Sequence, residues 1–394
     1  MKTDTNPKKI KDLLSRGIDE VIDFNHLKKG LISGKKLRIK LGIDPTSPNL
    51  HLGQSVPLLK LKDFQELGHQ IVLIIGDFTG LVGDTSDKHA ERPALTDKQI
   101  RRNLKTYIKQ VGKILHADKT EIRYNSEWLA KLDYREISEQ ADIFSLAEFI
   151  ARKNIRRRLE RKNRISLREL LYPLMQGYDS VAIKADVEIG GTDQRFNLLA
   201  GRRIQEYFSQ EPQDIITLNL MDGLDGRKMS SSWGNTINLL DSPKEMFGKV
   251  MSMIDSMIIT YFENCTRVPM EIVKKFEKQL SDKNINPRDI KMELAYEITK
   301  IYWGERGAEK GKNHFVSVIQ KKNIPDDMPE IKITSANIID VLVKGNLVKS
   351  KSDARRLIEH KGIKVNGEII KTFDEIINKG DIIQKGKRHF VRAV

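Results

Sequence analysis

Five short apolar runs in the first 220 residues restrict the fold more than any other feature of this chain. They are KLRIKLGID (36–44), QIVLIIGDF (70–78), TEIRYNSEW (120–128), ADVEIGG (185–191) and DIITLNL (214–220). Runs of this kind are strands covered on both faces, and helical patterns between them predict a mainly parallel sheet wrapped by helices, an α/β domain spanning 1–222. Between the first two runs, NLHLGQSVPLLKLKDFQELG has helical period and ends at Gly68, a good helix-terminating residue. The stretch from about 129 to 184 is mostly helical and reads as an insertion into the sheet domain. Ahead of the first strand, Ile10, Leu13, Leu14, Ile18 and Val21 fall on one stripe, which predicts a single amphipathic helix.

Beyond the sheet domain the pattern changes. GRKMSSSWGN (226–235) lies in a glycine-flanked segment, 223–243; helical periods fill 244–325, which predicts a separate helical domain, and prolines and charges mark a linker at 326–334. The last part, 335–394, holds the helix SKSDARRLIEHKG and then IKVNGEIIK, whose Asn-Gly predicts a hairpin turn. Its 60 residues carry 13 Lys plus Arg against 7 Asp plus Glu, and residues 152–168 carry 9 against 1. With a formal net charge of +15, this distribution favours a polyanionic partner such as nucleic acid; a basic solvated surface is the alternative. One cysteine, Cys265, rules out an internal disulfide and a Cys-rich metal site, and no long uncharged apolar run suggests a leader or membrane span. A cytoplasmic protein is the expectation.

Three motifs stand where ligands bind in such sheets, beyond the carboxyl ends of strands and at helix N-termini, and a fourth lies along a helix face. In GIDPTSPNLHLGQ (42–54) a strand ends at Asp44 and a helix starts near Leu50, so Thr46, His51 and Gln54 sit where a nucleotide phosphate would lie, and Gly53 allows close approach. GDFTGLVGDTSDKHAERP (76–93) is a glycine-rich loop in which Lys88 and Arg92, four apart, could face one anion. In LYPLMQGYDS, Tyr172, Gln176 and Asp179 share a helical face fit for a small polar ligand or for solvent, with Pro173 a source of distortion. In EIGGTDQRFN (188–197), Asp193 either binds a ribose hydroxyl or caps a helix.

HLGQ followed by KMSSS resembles the paired signature of class I aminoacyl-tRNA synthetases. GIDPTSPNLHLG, GDFTGLVGD, LYPLMQGYDS and GGTDQRFN are similar to tyrosyl-tRNA synthetases, in particular the bacterial branch with a compact C-terminal RNA-binding domain. The resemblance covers the whole chain and implies a Rossmann-like doubly wound sheet, a helical anticodon-binding region and a C-terminal domain shared with a ribosomal protein. It also implies the reaction: tyrosine and ATP give tyrosyl-adenylate and pyrophosphate, and the tyrosyl group then passes to tRNA(Tyr). ATP is a substrate accompanied by Mg²⁺, with no metal held tightly by the protein. Thr46, His51, Gln54, Lys88, Arg92 and Lys228 are implied at the phosphates, and Asp44, Gly53, Asp193, Met229, Ser230 and Ser231 elsewhere around ATP. Asp84, Tyr172, Gln176, Asp179 and Gln194 are implied around tyrosine, with Asp179 accepting from the phenol. Arg355, Arg356, Lys361, Lys364, Lys387 and Arg388 are implied contacts to RNA phosphates, and the insertion is implied as a homodimer interface.

The chain departs from the family pattern at three places. Gln54 stands where His is common, Lys40 and Leu41 stand where some members carry a tyrosine that reads the phenol a second time, and Ser231 stands where the last signature has a lysine. Two alternatives accompany the reading: the related tryptophan enzyme, and an inactive paralogue that only binds RNA.

Overall fold

Six strands build the first of two compact units, residues 1–304. They are β1 (Ile18–Ile22), β2 (Arg38–Ile43), β3 (Gln70–Ile75), β4 (Thr120–Tyr124), β5 (Val187–Gly191) and β6 (Asp214–Leu218), in the order β1-β6-β5-β2-β3-β4. In this computed structural model residues 3–84, 95–230, 233–282, 285–320, 328–331, 337–386 and 389–394 are described. β2 to β6 are parallel, and β1 lies antiparallel beside β6. β3 buries Ile71 to Ile75 completely, since helices cover both faces of the sheet. Chain order runs outward from β2 to β4 in one direction and from β5 to β6 in the other, so a crevice opens where β2 and β5 adjoin.

The N-terminal stretch differs from the single helix its stripe predicts. The helix is Pro7–Leu13; Gly17 then takes φ +63, and Ile18 and Val21 lie in β1. Any Cβ at Gly17 would meet Asn264 Oδ1 at 2.5 Å, so the turn is closed to other residues. Lys60, buried in the next helix but one, donates from Nζ to the carbonyls of Leu13 and Arg16 at 2.8 Å each and ends the first helix there. Burial lowers its pKa to about 8.

The helix after β2 is Leu52–Glu66, and Gly68 beyond it takes φ +90 as a terminating glycine does. The helix Leu167–Ile183 accommodates Pro173 without a break and packs on Arg195–Tyr207, because Gly177 and Gly201 present no Cβ between them: one at Gly177 would sit 2.7 Å from Ile204. Helices Pro243–Ser252, Ile258–Cys265 and Met270–Ser281 belong to the same compact unit as the sheet, which runs to Gly304. They are tied in by Arg16, donating to the carbonyls of Glu263, Phe262 and Val268, and by the Ser55–Tyr302 hydroxyl contact of 2.8 Å. Cys265 is fully buried and its thiol is pushed up to about 12 by burial, which removes it from reach of a second chain.

The second unit, 305–394, centres on helices Ile338–Lys344 and Lys351–Glu359 over a five-stranded sheet. Its strands are β7 (Glu330–Ile331), β8 (Ile363–Val365), β9 (Glu368–Ile369), β10 (Ile382–Lys385) and β11 (His389–Ala393), in the order β7-β11-β10-β8-β9. β8 and β9 form the hairpin expected at Asn366-Gly367, both with positive φ (51 and 92) as the tight two-residue turn requires. Among described residues no helix is long and apolar enough to cross a membrane.

Candidate active site

A cavity of about 240 Å³ fills the crevice between β2 and β5. Of the residues singled out in the sequence, Asp44, Thr46, Gln54, Asp84, Tyr172, Gln176, Asp179 and Gln194 line it together. The three helix residues Tyr172, Gln176 and Asp179 therefore face a cavity rather than solvent.

Asp44, at the end of β2, accepts from Thr79 Oγ1 at 2.7 Å and from the Tyr172 hydroxyl at 2.9 Å. Burial, with Asp44 and Asp84 nearby, holds the Tyr172 phenol well above its ordinary range, so it stays a protonated donor. Gly76 makes this arrangement possible: a Cβ there would lie 1.9 Å from Asp44 Oδ1 and 2.3 Å from Thr79 Oγ1. The first glycine of the GDFTG motif thus leaves room for a protein carboxylate. Gly76→Ala is expected to lose about 1–3 kcal/mol of stability through overpacking, read as a lower denaturant midpoint; an unchanged midpoint would refute the crowding.

Asp179 is 3% exposed and accepts from Trp128 Nε1 at 2.8 Å and from Asn125 Nδ2 at 3.4 Å. Burial pushes its carboxyl up to about 7, against the opposing charge of Lys40 and these two donors. Asn125 also lines the cavity and donates to Thr79 Oγ1 at 3.0 Å, which links Asp179 to the Asp44 cluster. Gln176 and Gln194 are held by their amides. Gln176 Nε2 donates to Glu188 Oε1 at 3.1 Å, Gln194 Nε2 donates to Asp84 Oδ2 at 2.6 Å, and Asn197 Nδ2 bridges the two side-chain oxygens at 3.1 and 3.0 Å.

The two signature motifs, far apart in sequence, meet at the mouth. His51 caps the helix Leu52–Glu66, and its backbone N–H donates to Gln54 Oε1 at 3.2 Å, so Gln54 has a capping role that fixes its amide. Leu52 N donates to Ile237 O and Leu239 N to Leu50 O, at 2.9 Å each, which sews the HLGQ entry to the segment after KMSSS. Gly53 N donates to Met229 Sδ at 3.3 Å. His51 is lowered to about 4, first by burial and then by the charge of Lys228, and is neutral near pH 7. Its Nδ1 is buried with no hydrogen-bond partner among the described residues.

Lys228 lies 3.5 Å from Asp193. Asp193 is inside the 3₁₀ turn Thr192–Gln194, whose N-cap is Gly191, so the helix-cap alternative for Asp193 is not what the chain adopts. Gly226 and Gly234 both take positive φ (78 and 67) on either side of KMSSS, and Ser230 N donates to Asn235 Oδ1 at 2.9 Å. Lys88, Arg92 and Ser231 lie outside the described residues, as do Lys387 and Arg388.

The basic run 152–168 is divided in its roles. Arg158 is 1% exposed and donates from Nη1 and Nη2 to Glu169, and Arg152 stacks 4.6 Å over Phe196, whereas Arg156, Arg157 and Arg161 are exposed. In the second unit Arg355, Arg356 and Lys361 are exposed and Lys364 half-buried; Arg356 contacts Asp353 at 2.9 Å.

Sequence reasoning did not single out Thr79, Asn125, Trp128, Glu188 or Asn197. Trp128 falls in a run read as strand, but the chain leaves β4 at Tyr124 and turns into the short helix Ser126–Leu129, which brings the indole to Asp179. A polar residue directly after a strand, as Asn125 is after the half-buried β4, was the available signal.

Residues 33–320 match the family model described as tRNA synthetases class I (W and Y), and residues 320–393 match that of the tyrosine–tRNA ligase SYY-like C-terminal domain. The chain is 46% identical over 389 residues to tyrosine–tRNA ligase 2 of Clostridium acetobutylicum, with 97% of each covered. It is 45% identical over 384 residues to the tyrosine–tRNA ligase of Thermotoga maritima, with 96% of each covered. In fold it is similar to a tyrosyl-tRNA synthetase of Archaeoglobus fulgidus solved with L-tyrosine, at TM-score 0.61 and 22% identity, covering 77% of this chain and 99% of that one.

Proposed function

This chain belongs to the tyrosine–tRNA ligases of class I, and on that premise we propose that the cavity between β2 and β5 holds tyrosine while ATP lies across its mouth between His51 and Lys228. The reaction of the family is activation of tyrosine by ATP followed by charging of tRNA. In the first step a tyrosine carboxylate oxygen attacks the α-phosphorus in line and pyrophosphate leaves. No protein nucleophile is required, so the protein contributes positioning and charge.

The observation that carries the reading is Asp179, a buried carboxylate that lines the cavity and whose neighbours donate to it without occupying it fully. It accepts from the phenol. Asp84 and the Gln176 side-chain oxygen receive the ammonium, with Tyr172 beside them, and Asp44 and Gln194 border the reacting carboxylate. Asp193 takes the ribose. Thr46, His51 and Gln54 face the phosphates, where neutral His51 offers a hydrogen bond and Lys228, with Lys88 and Arg92, offers charge. Gly53, Met229, Ser230 and Ser231 complete the wall around ATP, and Mg²⁺ enters with the nucleotide as part of the substrate. Arg355, Arg356, Lys361, Lys364, Lys387 and Arg388 position tRNA(Tyr) by its phosphates.

Amino-acid-dependent exchange of pyrophosphate into ATP tests the assignment. Exchange with tyrosine alone is expected; exchange with tryptophan would transfer the chain to the sister branch, and none with either would leave an RNA binder. Two copies pair through the insertion 129–184, whose Tyr134, Leu146 and Leu167 are 90%, 62% and 79% exposed; sedimentation as a monomer at micromolar concentration would rule this out. The compartment is the cytoplasm, which cell fractionation checks.

Tyrosine affinity is expected to depend on pH through Asp179. The carboxylate form accepts a hydrogen bond from the phenolic hydroxyl, and burial raises the pKa of the Asp179 carboxyl to about 7. Tyrosine binding then releases a proton, and the dissociation constant rises as pH falls from 8 to 6, approaching about tenfold per unit below the pKa. Phenylalanine, with no hydroxyl, shows no such slope. A tyrosine affinity flat across this range would show that Asp179 does not titrate there.

A further inference from the structure

We propose that Lys40 and Glu188, a fully buried ion pair under the amino-acid cavity, are positioning residues for the substrate ammonium: they hold Gln176 so that its side-chain oxygen, and not its amide nitrogen, faces the ligand. This rests on the reading that Gln176 receives the ammonium. Both residues are 0% exposed, on the adjacent strands β2 and β5, and Lys40 Nζ lies 2.9 Å from Glu188 Oε1. The same ammonium donates to the main-chain oxygen of Gln176 at 2.7 Å and to Ser180 Oγ at 2.8 Å, which uses its three hydrogens. Lys40 therefore grips the helix Leu167–Ile183 at the residue that faces the cavity.

Glu188 completes the arrangement. Its carboxylate accepts from Lys40, from Gln176 Nε2 at 3.1 Å, from Ser180 Oγ at 3.2 Å and from Gln213 Nε2. An ionised carboxylate only accepts, so Gln176 turns its NH₂ toward Glu188, and its oxygen lies on the other side of the amide, where Asn197 Nδ2 donates to it at 3.1 Å; Gln176 itself lines the cavity. Asn197 Nδ2 favours the same orientation from the oxygen side, and Glu188 supplies the charged acceptor that holds the nitrogen side, so that the amide does not present a donor to a cationic substrate. Two apolar residues would fill these strand positions at lower desolvation cost, as they do at Ile39 and Val187 alongside. The pair thus has a reason to persist at a site where burial argues against it. It also accounts for the charge at position 40: Lys40 does not line the cavity and reads no phenol.

The test compares tyrosine with 3-(4-hydroxyphenyl)propionate, which lacks only the amino group, by equilibrium binding to the full-length protein. Glu188→Gln keeps size and shape but removes the charged acceptor of Gln176 Nε2, leaving only Asn197 to orient the amide. Lys40→Met/Glu188→Met removes both charges and avoids a lone buried ion, which by itself would endanger folding. Each variant is expected to weaken tyrosine binding about tenfold, the equivalent of one hydrogen bond to a charged group, while the analogue changes less than twofold. Equal weakening of both ligands, or no change in either, overturns the proposal. Gln176→Ala is the control for the underlying reading: if it weakens both ligands equally, Gln176 does not meet the ammonium. If it is selective and the pair variants are not, the inference about Lys40 and Glu188 fails alone.

Discussion

Asp179→Ala is expected to abolish the preference for tyrosine over phenylalanine, seen as the ratio of kcat/KM for the two amino acids. A site built to bond a hydroxyl rejects an analogue lacking it by factors on the order of 10⁴–10⁵, a range for which enzymes of this family are themselves the reference case. The reason is the cost of a buried acceptor without a donor, which exceeds what a lost apolar contact can supply. Asp179 is such an acceptor at 3% exposure. Without it, Trp128 Nε1 and Asn125 Nδ2 lose their common partner, and the ratio should fall to within about tenfold, the discrimination that an apolar slot can supply. Asp179→Asn, which keeps the volume, should behave in the same way. An unchanged ratio in both variants would remove Asp179 from the recognition of the phenol.

The same residue should show its cost in stability. Its folded pKa is raised to about 7 from 3.8, so the folded protein holds this proton more tightly than the unfolded chain does. The penalty is absent at low pH and accumulates between about pH 4 and 7. Asp179→Asn should accordingly gain stability relative to the parent as pH rises through that window, while it loses selectivity. A function-imposed buried charge has this signature.

Lys228→Ala is the second large effect. Adenylate formation, followed as pyrophosphate exchange, is expected to fall by about two to three orders of magnitude, the usual consequence of losing a group aimed at developing charge. Three facts raise the expectation for this chain. Ser231 stands where a second lysine is usual. Gln54 cannot carry charge. His51, lowered to about 4, is neutral at working pH and cannot compensate. The loss should appear in kcat with tyrosine affinity preserved, since Lys228 lies 3.5 Å from Asp193 at the mouth and not among the residues lining the cavity. A decline of less than about fivefold would show that KMSSS does not serve the phosphates here.

Much of the sheet was legible because burial on both faces leaves an apolar run that periodicity detects. β2, β3, β4, β5 and β6 all fall inside predicted runs. β1 was not, for a local reason: Ile18 and Val21 are three apart, a spacing compatible with a helix, and the positive φ of Gly17 against Asn264, with Lys60 on the Leu13 and Arg16 carbonyls, separates them from the preceding helix. The end of β4 was misread because Trp128 suits a strand by propensity, while the chain turns after Tyr124.

The sequence alone singled out the side chains that the fold gathers around the β2–β5 crevice. Asp44, His51, Tyr172, Gln176, Asp179 and Lys228 stand in short motifs whose resemblance to the family marks them out. The tertiary structure decided the state in which each is held, because protonation and orientation depend on neighbours brought together by folding. Asp179 near neutrality, His51 uncharged, Gly76 vacated for the Asp44 carboxylate and Gln176 turned by Glu188 all arise from contacts across the sheet, between residues tens of positions apart or on adjoining elements. Lys40 shows the division most clearly. In the sequence it interrupts an apolar strand where some members of the family carry a tyrosine, and only the adjacency of β2 and β5 supplies the carboxylate that makes a buried lysine tenable.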